Sequence, residues 1–462
     1  MVKEMHSQNM TKTEKQAVLT LSSIMSLRMI GLFMVLPVFT LYASQLKGAT
    51  PALIGLSMGI YGLFQALFQI PFGVCSDRFG RKPIILIGFL IFAAGCLIAG
   101  MAHSITLMII GRALQGMGAV GSTILAMMAD LTREEQRTKS MAIAGITIGF
   151  SFSIAMLLGP LLTRWLPAND LFFIGILFSM MALFILYTLT PTPEVRRFHR
   201  DTSPELKSFI HLLTAKELAK LNSGIFILHA VFTASFIAIP ISFYQFAHVE
   251  AKNQWVLYLP TLLIAAIISL FCIGLAERKQ QIKPYFLGGI ITILIAQYLL
   301  WMAPGHLLIA AIGLCLFFSG FSLLEAFLPS LISRTAPAAL KGSAMGLYSC
   351  SQFLGIFVGG VLGGWLYGQF SLLGVYLFCI VLTFFWLLLA LKMQPPRMLI
   401  THMFRLSSKH PHFESILAKF KVIPGMLEVT FIAEDDRVYL KMERAVKQHP
   451  DFIHLKEQLQ SK

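Results

Sequence analysis

Four ionisable side chains stand far from the ends of long apolar stretches: Arg28, Arg112, His229 and Glu325. A charge at the centre of a bilayer costs roughly 2.5–3.5 kcal/mol on insertion scales, so such a residue faces protein or water and marks a pathway. Carboxylate and imidazole groups can take up and release protons, whereas guanidinium groups stay charged. Arg28 and Glu325 each lie about ten residues from one end of their stretch, or ~15 Å at 1.5 Å per residue. At that shared depth the two can form a buried pair. The expected chemistry is a proton carried on Glu325 with Arg28 tuning its affinity; a static pair that ties two helices together is the plainer alternative. His229, alone in its stretch, is expected to bond a backbone carbonyl rather than relay protons.

Lipid has to surround the elements that position these groups. The chain of 462 residues is 56% apolar and 13% charged, with a mean hydropathy of +0.74. Soluble domains are nearer 45–50% apolar and roughly 25% charged. A spanning helix needs about 20 mostly apolar residues. Runs of that kind fall near 17–42, 52–73, 83–102, 105–129, 139–163 and 171–190, then near 222–247, 255–275, 285–303, 307–333, 342–368 and 371–391. The four residues above therefore sit in the first, fourth, seventh and tenth runs. A polar lead, Met1 to Lys15, precedes an apolar run of about 26 residues, longer than the roughly 7–15 of a signal-peptide core, so an uncleaved first helix is expected.

Charge sets the expected orientation. The net charge is +15, but only Lys47, Arg164 and Lys252 fall in loops on one side, whereas the stretch Pro191–Leu221 on the other carries six Lys/Arg by itself. This positive-inside bias puts both termini in the cytoplasm. Nucleic-acid binding is excluded because no basic face is interleaved with aromatics. The six cysteines lie in the apolar runs or at their inner ends, so no disulfide framework is expected.

Expected domains are an N-terminal six-helix bundle (1–190), a cytoplasmic linker (191–221), a C-terminal six-helix bundle (222–393) and a soluble tail (397–462). A short echo supports a duplication: Arg137-Thr138-Lys139-Ser140-Met141-Ala142 opens the fifth run, and Lys341-Gly342-Ser343-Ala344-Met345-Gly346 the eleventh. In the tail, Phe413, Ile416, Leu417 and Phe420 have helical spacing. Leu427, Val429 and Phe431 alternate with polar residues, as do Val438, Leu440 and Met442, with Asp435-Asp436 as the turn between them. An extended lead-in near Leu399–Leu406 and a final helix near Arg444–Leu459 complete a β-α-β-β-α order suited to a ferredoxin-like sandwich. His410-Pro411-His412 is the one ligand-like cluster there, and solvated surface histidines explain it better than a metal site.

The most specific stretch is Gly73-Val-Cys-Ser-Asp77-Arg78-Phe-Gly80-Arg81-Lys82, between the second and third runs. It closely resembles the signature GxLaDrxGrkxxl of the major facilitator superfamily, with Cys75 where leucine is common. Arg112-Ala-Leu-Gln115-Gly116-Met-Gly118 resembles that family's RxxqGxg motif. The resemblance covers roughly residues 15 to 393. It implies an all-α membrane protein with the 12-helix (6+6) major facilitator fold, here followed by a small α/β cytoplasmic domain. In that fold helices 1, 4, 7 and 10 line the central cavity. Asp77 would then sit at the start of helix 11, near Gly342–Ser343, where the helix dipole favours an anion. Arg81 would pair with Asp130. Together with Gly73, Arg78, Gly80 and Lys82 these contacts would form a latch that holds the outward-facing state, unless the motif is only a topological anchor. Gly73 and Gly80 would let a short loop turn and backbones approach. The matching loop of the second half keeps only Gly274, Glu277, Arg278 and Lys283. Gly145, Gly149, Gly159 and Pro160 resemble the helix-5 packing motif of the antiporter branch, although Leu161-Leu162 stand where Gly-Gly is usual.

Within the family, Ser26-Leu27-Arg28 leading to Leu36-Pro37, Gly159-Pro160, Leu324-Glu325-Ala326 before Leu328-Pro329-Ser330, and the tail resemble the YajR-type inner-membrane proteins. The expectation is a proton-coupled exporter of a small molecule, similar to drug/proton antiporters, working by alternating access in a bacterial inner membrane. Its partners would be substrate, protons and membrane lipid, and it is expected to be a monomer. Uniport, symport and a transporter-like sensor signalling through the tail stay open. No GxSxG, HExxH or P-loop is present, so neither an enzyme, a cofactor nor a metal is expected.

Overall fold

A computed structural model of the chain describes residues 10–192, 212, 214–279, 281–302, 305–337, 340–394, 399–405, 413–432, 437–443, 446 and 449–460. Ten apolar helical segments come first: span 1 Lys12–Ala43, span 2 Pro51–Phe79, span 3 Arg81–Gly100, span 4 Ile105–Asp130, span 5 Lys139–Leu162, span 6 Asp170–Thr188, span 7 Lys216–Gln245, span 8 Ala251–Lys279, span 9 Ile282–Met302 and span 10 Leu307–Thr335. An eleventh, Gly342–Leu391, has 50 residues. Unbroken, it would run about 75 Å, well over twice the ~30 Å hydrocarbon core. It turns back at Ser371, whose φ of 55° and ψ of −152° interrupt the helix, giving spans 11 (342–370) and 12 (372–391). The described residues thus make twelve crossings.

The ends follow local chemistry. Thr11 Oγ1 accepts from Glu14 N while Glu14 Oε2 accepts from Thr11 N, a capping box that starts span 1. Thr50 caps span 2, where Pro51 fills a position that has no use for an N–H, and Ser104 caps span 4. Pro37 has no N–H to give back to Phe33, and span 1 is broken at Met34–Val35. Helices outlast several of the apolar runs: span 2 continues to Phe79 and span 7 starts at Lys216. Polar residues at the interface keep helical bonds without contributing hydropathy. Most of the expected 191–221 linker lies outside the described residues.

Spans 1, 4, 5 and 6 pack together, as do spans 2, 3 and 4; spans 7 to 12 pack among themselves. The two groups meet mainly where span 2 lies along span 11. Span 7 is buried along almost its whole length, at the centre of the assembly.

The tail forms a separate compact unit. Strands β1 (Leu399–Arg405), β2 (Met426–Ile432) and β3 (Arg437–Glu443) make an antiparallel sheet ordered β1-β3-β2, with a bulge between Met426 and Glu428. The crossover helix Phe413–Val422 leaves β1 and β2 parallel, with β3 between them, as in ferredoxin-like βαββαβ folds. The last helix, Pro450–Gln460, begins later than the expected Arg444, with proline at its first position. Phe420, Val438, Leu440, Met442 and Phe452 form the core. Asp435-Asp436 and His410-Pro411-His412 lie outside the described residues.

Candidate functional site

Glu325, about two-thirds of the way along span 10, keeps 36% of its side chain exposed. Its neighbours come from spans 7 and 11. Gln352 Nε2 lies 2.8 Å from His229 Nε2 and 3.3 Å from Glu325 Oε1. His229 Nδ1 is 3.3 Å from the Ile225 carbonyl, which can only accept, so Nδ1 carries the ring proton. The neutral ring then accepts from the Gln352 amide through Nε2. Glu325 Oε2 stands 3.8 Å from His229 Nε2 and has no hydrogen-bond partner among the described residues. The carbonyl bond expected for His229 is present, and so is a tie to the carboxylate. Gln352 gave no sequence signal, because one amide barely changes the hydropathy of an apolar run.

Toward the far ends of these spans an aromatic block covers the pair. The His229 ring packs on Phe321 at 5.6 Å, and Phe232 packs at a tilt on Phe236 and Phe321, each at 4.7 Å. Phe152 of span 5 meets Phe232 at 5.5 Å and so carries the block across to the first six spans.

Arg28 does not pair with Glu325. Its Nη2 donates to Gln65 Oε1 at 2.9 Å and to the Gly118 carbonyl at 3.2 Å. Span 4 is broken there: its first helix ends at Met117 and the next begins at Gly121. The break leaves the Gly118 carbonyl at a helix C-terminus, the negative end of the dipole, where a cation is stabilised. The buried guanidinium therefore turns to span 4. Sequence depth put the two residues level but could not supply the rotation of span 1 about its axis.

Arg112 is 4% exposed. Its Nη1 donates to Gln115 Oε1 at 2.7 Å, and the guanidinium lies 5.3 Å from the Tyr61 ring and 5.6 Å from Phe39. Cation–π contact of this kind is stronger out of water. Gln115 in turn donates to Cys96 Sγ at 3.0 Å.

At the motif end, Arg81 Nε pairs with Asp130 Oδ2 at 2.9 Å and Nη1 with Asp77 Oδ1 at 2.5 Å. Lys82 Nζ donates to the Thr190 carbonyl at 2.8 Å, and Arg78 is exposed. The dock expected for Asp77 at Gly342–Ser343 is not made here; Arg81, one turn away, takes the carboxylate instead. Gly80 makes the turn, with φ of 97°, whereas Gly73 lies inside the helix of span 2, where a Cβ would meet nothing within 4 Å. Glu14, which no motif singled out, accepts from Arg133 N and Nε at 2.8 Å and from Nη2 at 2.9 Å.

The opposite end is closed. Gly55 and Gly59 of span 2 lie against the backbone of Gly360, Gly364 and Phe357 in span 11, so closely that a Cβ on either would collide. Nearby, Thr40 Oγ1 of span 1 donates to the Phe236 carbonyl of span 7 at 3.2 Å. The expected close packing of span 5 is met in part. Gly159 abuts the Met34 carbonyl at the break in span 1, but a Cβ on Gly145 or Gly149 would meet nothing within 4 Å. Pro160 lies inside the helix, two residues before its end.

Twelve crossings, a glycine-lined seam between two groups of helices and mid-span ionisable groups on spans 1, 4, 7 and 10 define a polytopic solute transporter rather than an enzyme. The chain belongs to the Major Facilitator Superfamily, whose family profile matches residues 21–360. It is 40% identical over 442 residues to the inner membrane transport protein YajR of Escherichia coli (strain K12), covering 96% of this chain and 97% of that one. It is 25% identical over 351 residues to the multidrug resistance protein MdtH of Salmonella typhimurium, covering 73% and 83%. Among solved structures, a D-xylose–proton symporter shares the fold, with a TM-score of 0.67 at 15% identity, covering 83% of this chain and 99% of that one. This is a multi-pass membrane protein, and the relative it matches almost end to end is named for the inner membrane.

Proposed function

We propose that this chain is a proton-coupled exporter of a small molecule in a bacterial inner membrane, with both termini in the cytoplasm. Spans 1–6 and 7–12 move as the two halves of an alternating-access cycle. The stretch between span 6 and span 7, within the expected 191–221 linker, joins the halves, and the tail is a cytoplasmic accessory domain. The observation that carries the reading is the setting of Glu325: a partly open carboxylate in mid-span that, among the described residues, has one oxygen unpartnered and a neutral histidine rather than a cation against it. Nothing there commits the group to either protonation state, and that freedom is what a carrier of protons needs. Protonation would turn Oε2 into a donor and remove the charge that the Gln352 amide faces.

In this reading the glycine seam and the aromatic block seal the exterior side, and the Asp77–Arg81–Asp130 cluster is the cytoplasmic latch in its released form. The positive-inside asymmetry supports this orientation, and the name of the MdtH relative supports export over import. The test is flux in proteoliposomes under an imposed pH gradient, with drug-like cations as first substrates. Glu325→Gln should abolish proton-driven flux while leaving substrate exchange. Proton-driven flux equal to wild type would remove Glu325 from the mechanism.

A further inference from the structure

Spans 8, 9 and 10 leave a groove of about 330 Å³ between them, bordered by Cys272, Tyr285, Gly288, Thr292, Ser319 and Leu323. Two consecutive glycines mark it. A Cβ on Gly289 would meet Leu324 at 3.0 Å, so that glycine packs span 9 on span 10. A Cβ on Gly288 would meet nothing within 4 Å, because it borders open space. The serine and threonine hydroxyls there are already spent: Ser269 has the Ala265 and Ser319 carbonyls within reach of its one proton, Thr292 donates to Gly288 and Ser319 to Cys315. Apart from the Tyr285 hydroxyl, what the groove offers an occupant is therefore apolar surface.

Its rim is charged at one end. Ile268, Cys272 and Lys279 are spaced four and seven residues apart, which puts them on one face of span 8. Lys279 stands about 10 Å beyond Cys272 along the axis. Arg278 is next to it, both side chains are exposed, and Lys283 begins span 9 across the turn. Glu277 is the one carboxylate in the described part of that turn, so positive charge is in excess. A polar, cationic mouth above an apolar slot between two membrane helices matches an anionic phospholipid, headgroup on the cations and one acyl chain in the slot.

We propose that this groove is a binding site for an anionic phospholipid such as phosphatidylglycerol. The chain enters between spans 8 and 9 beside Gly288, and Arg278 and Lys279 hold the phosphate. An occupied slot would wedge span 9 against span 10, the helix that carries Glu325.

Native mass spectrometry of the full chain, equilibrated with equal amounts of phosphatidylglycerol and phosphatidylethanolamine, tests the site. Wild type should retain phosphatidylglycerol over phosphatidylethanolamine by roughly tenfold, and Arg278→Gln with Lys279→Gln should bring the ratio close to one. Gly288→Phe fills space that is already open, so the protein should fold while losing the bound lipid of either kind. Equal retention of the two lipids by wild type would overturn the proposal. So would a preference that survives the double substitution, or a Gly288→Phe variant that keeps its phosphatidylglycerol.

Discussion

His229 Nε2 and Glu325 Oε2 lie 3.8 Å apart, and the amide of Gln352 reaches both side chains. A histidine on span 7 and a carboxylate on span 10 are thus joined through span 11. A change of charge on Glu325 is felt at once by two other helices.

The first prediction concerns that bridge. Gln352→Leu removes the donor that faces His229 and Glu325 but keeps the volume. It should weaken proton coupling without unfolding the protein, since each lost hydrogen bond contributes about 1 kcal/mol net. Flux measured against external pH should show its midpoint displaced in Gln352→Leu and restored in Gln352→Asn. An unshifted profile would make Gln352 a packing residue only.

Arg28→Met removes the guanidinium from beside the break in span 4, leaving the Gly118 carbonyl with Val120 N alone and Gln65 Oε1 with the Tyr61 hydroxyl alone. Hydrogen bonds to a charged group contribute about 1.5–3 kcal/mol, so thermal unfolding of the purified protein should move down by several degrees. Arg28→Lys should recover part of the loss by reaching one acceptor. An unchanged melting temperature in Arg28→Met would mean that the contact does not stabilise the fold.

The glycine seam predicts a conformational effect. Gly59→Val forces a side chain against the backbone of Phe357, and overpacking of this kind costs about 1–3 kcal/mol in the packed state. The side closed here should open, because only that state bears the clash. A cysteine placed at Thr40, 2% exposed in this structure, should react with an impermeant thiol reagent about tenfold faster in the Gly59→Val background. Equal rates would show that the seam does not close that side.

Removing the tail separates a transporter from a sensor. The tail has a hydrophobic core of its own, so the spans should fold without residues 397–462. Substrate flux should persist in the truncated protein. Binding without flux in the full-length chain would favour the sensor instead.

The Glu14 anchor gives a stability prediction. Its carboxylate accepts three bonds from Arg133 and one from Thr11 N, and hydrogen bonds to charged groups contribute about 1.5–3 kcal/mol. Glu14→Gln should lower the melting temperature, more at low salt than at high salt because Arg133 is 40% exposed. A salt-independent loss would point to packing rather than charge.

Much of this was legible in the residues. Twelve spans follow from hydrocarbon, which tolerates no unpaired backbone and so demands a helix of fixed length for every crossing. The four mid-span ionisable groups stood out because each breaks an otherwise apolar run. The Arg81–Asp130 contact followed from the motif. Gln65, Gln352 and the Glu14–Arg133 anchor did not announce themselves, since uncharged amides hardly alter hydropathy and Glu14 lies among other polar residues at a helix start.

The sequence by itself determined how many times the chain crosses the membrane and which side chains must leave water, because transfer free energy depends on residue type alone. Only the tertiary structure decided who meets whom: Arg28 turns to Gly118, Glu325 to His229 and Gln352, and Gly55 and Gly59 to span 11. Those choices depend on the rotation and tilt of each helix, which are set by packing against neighbours far away in the chain.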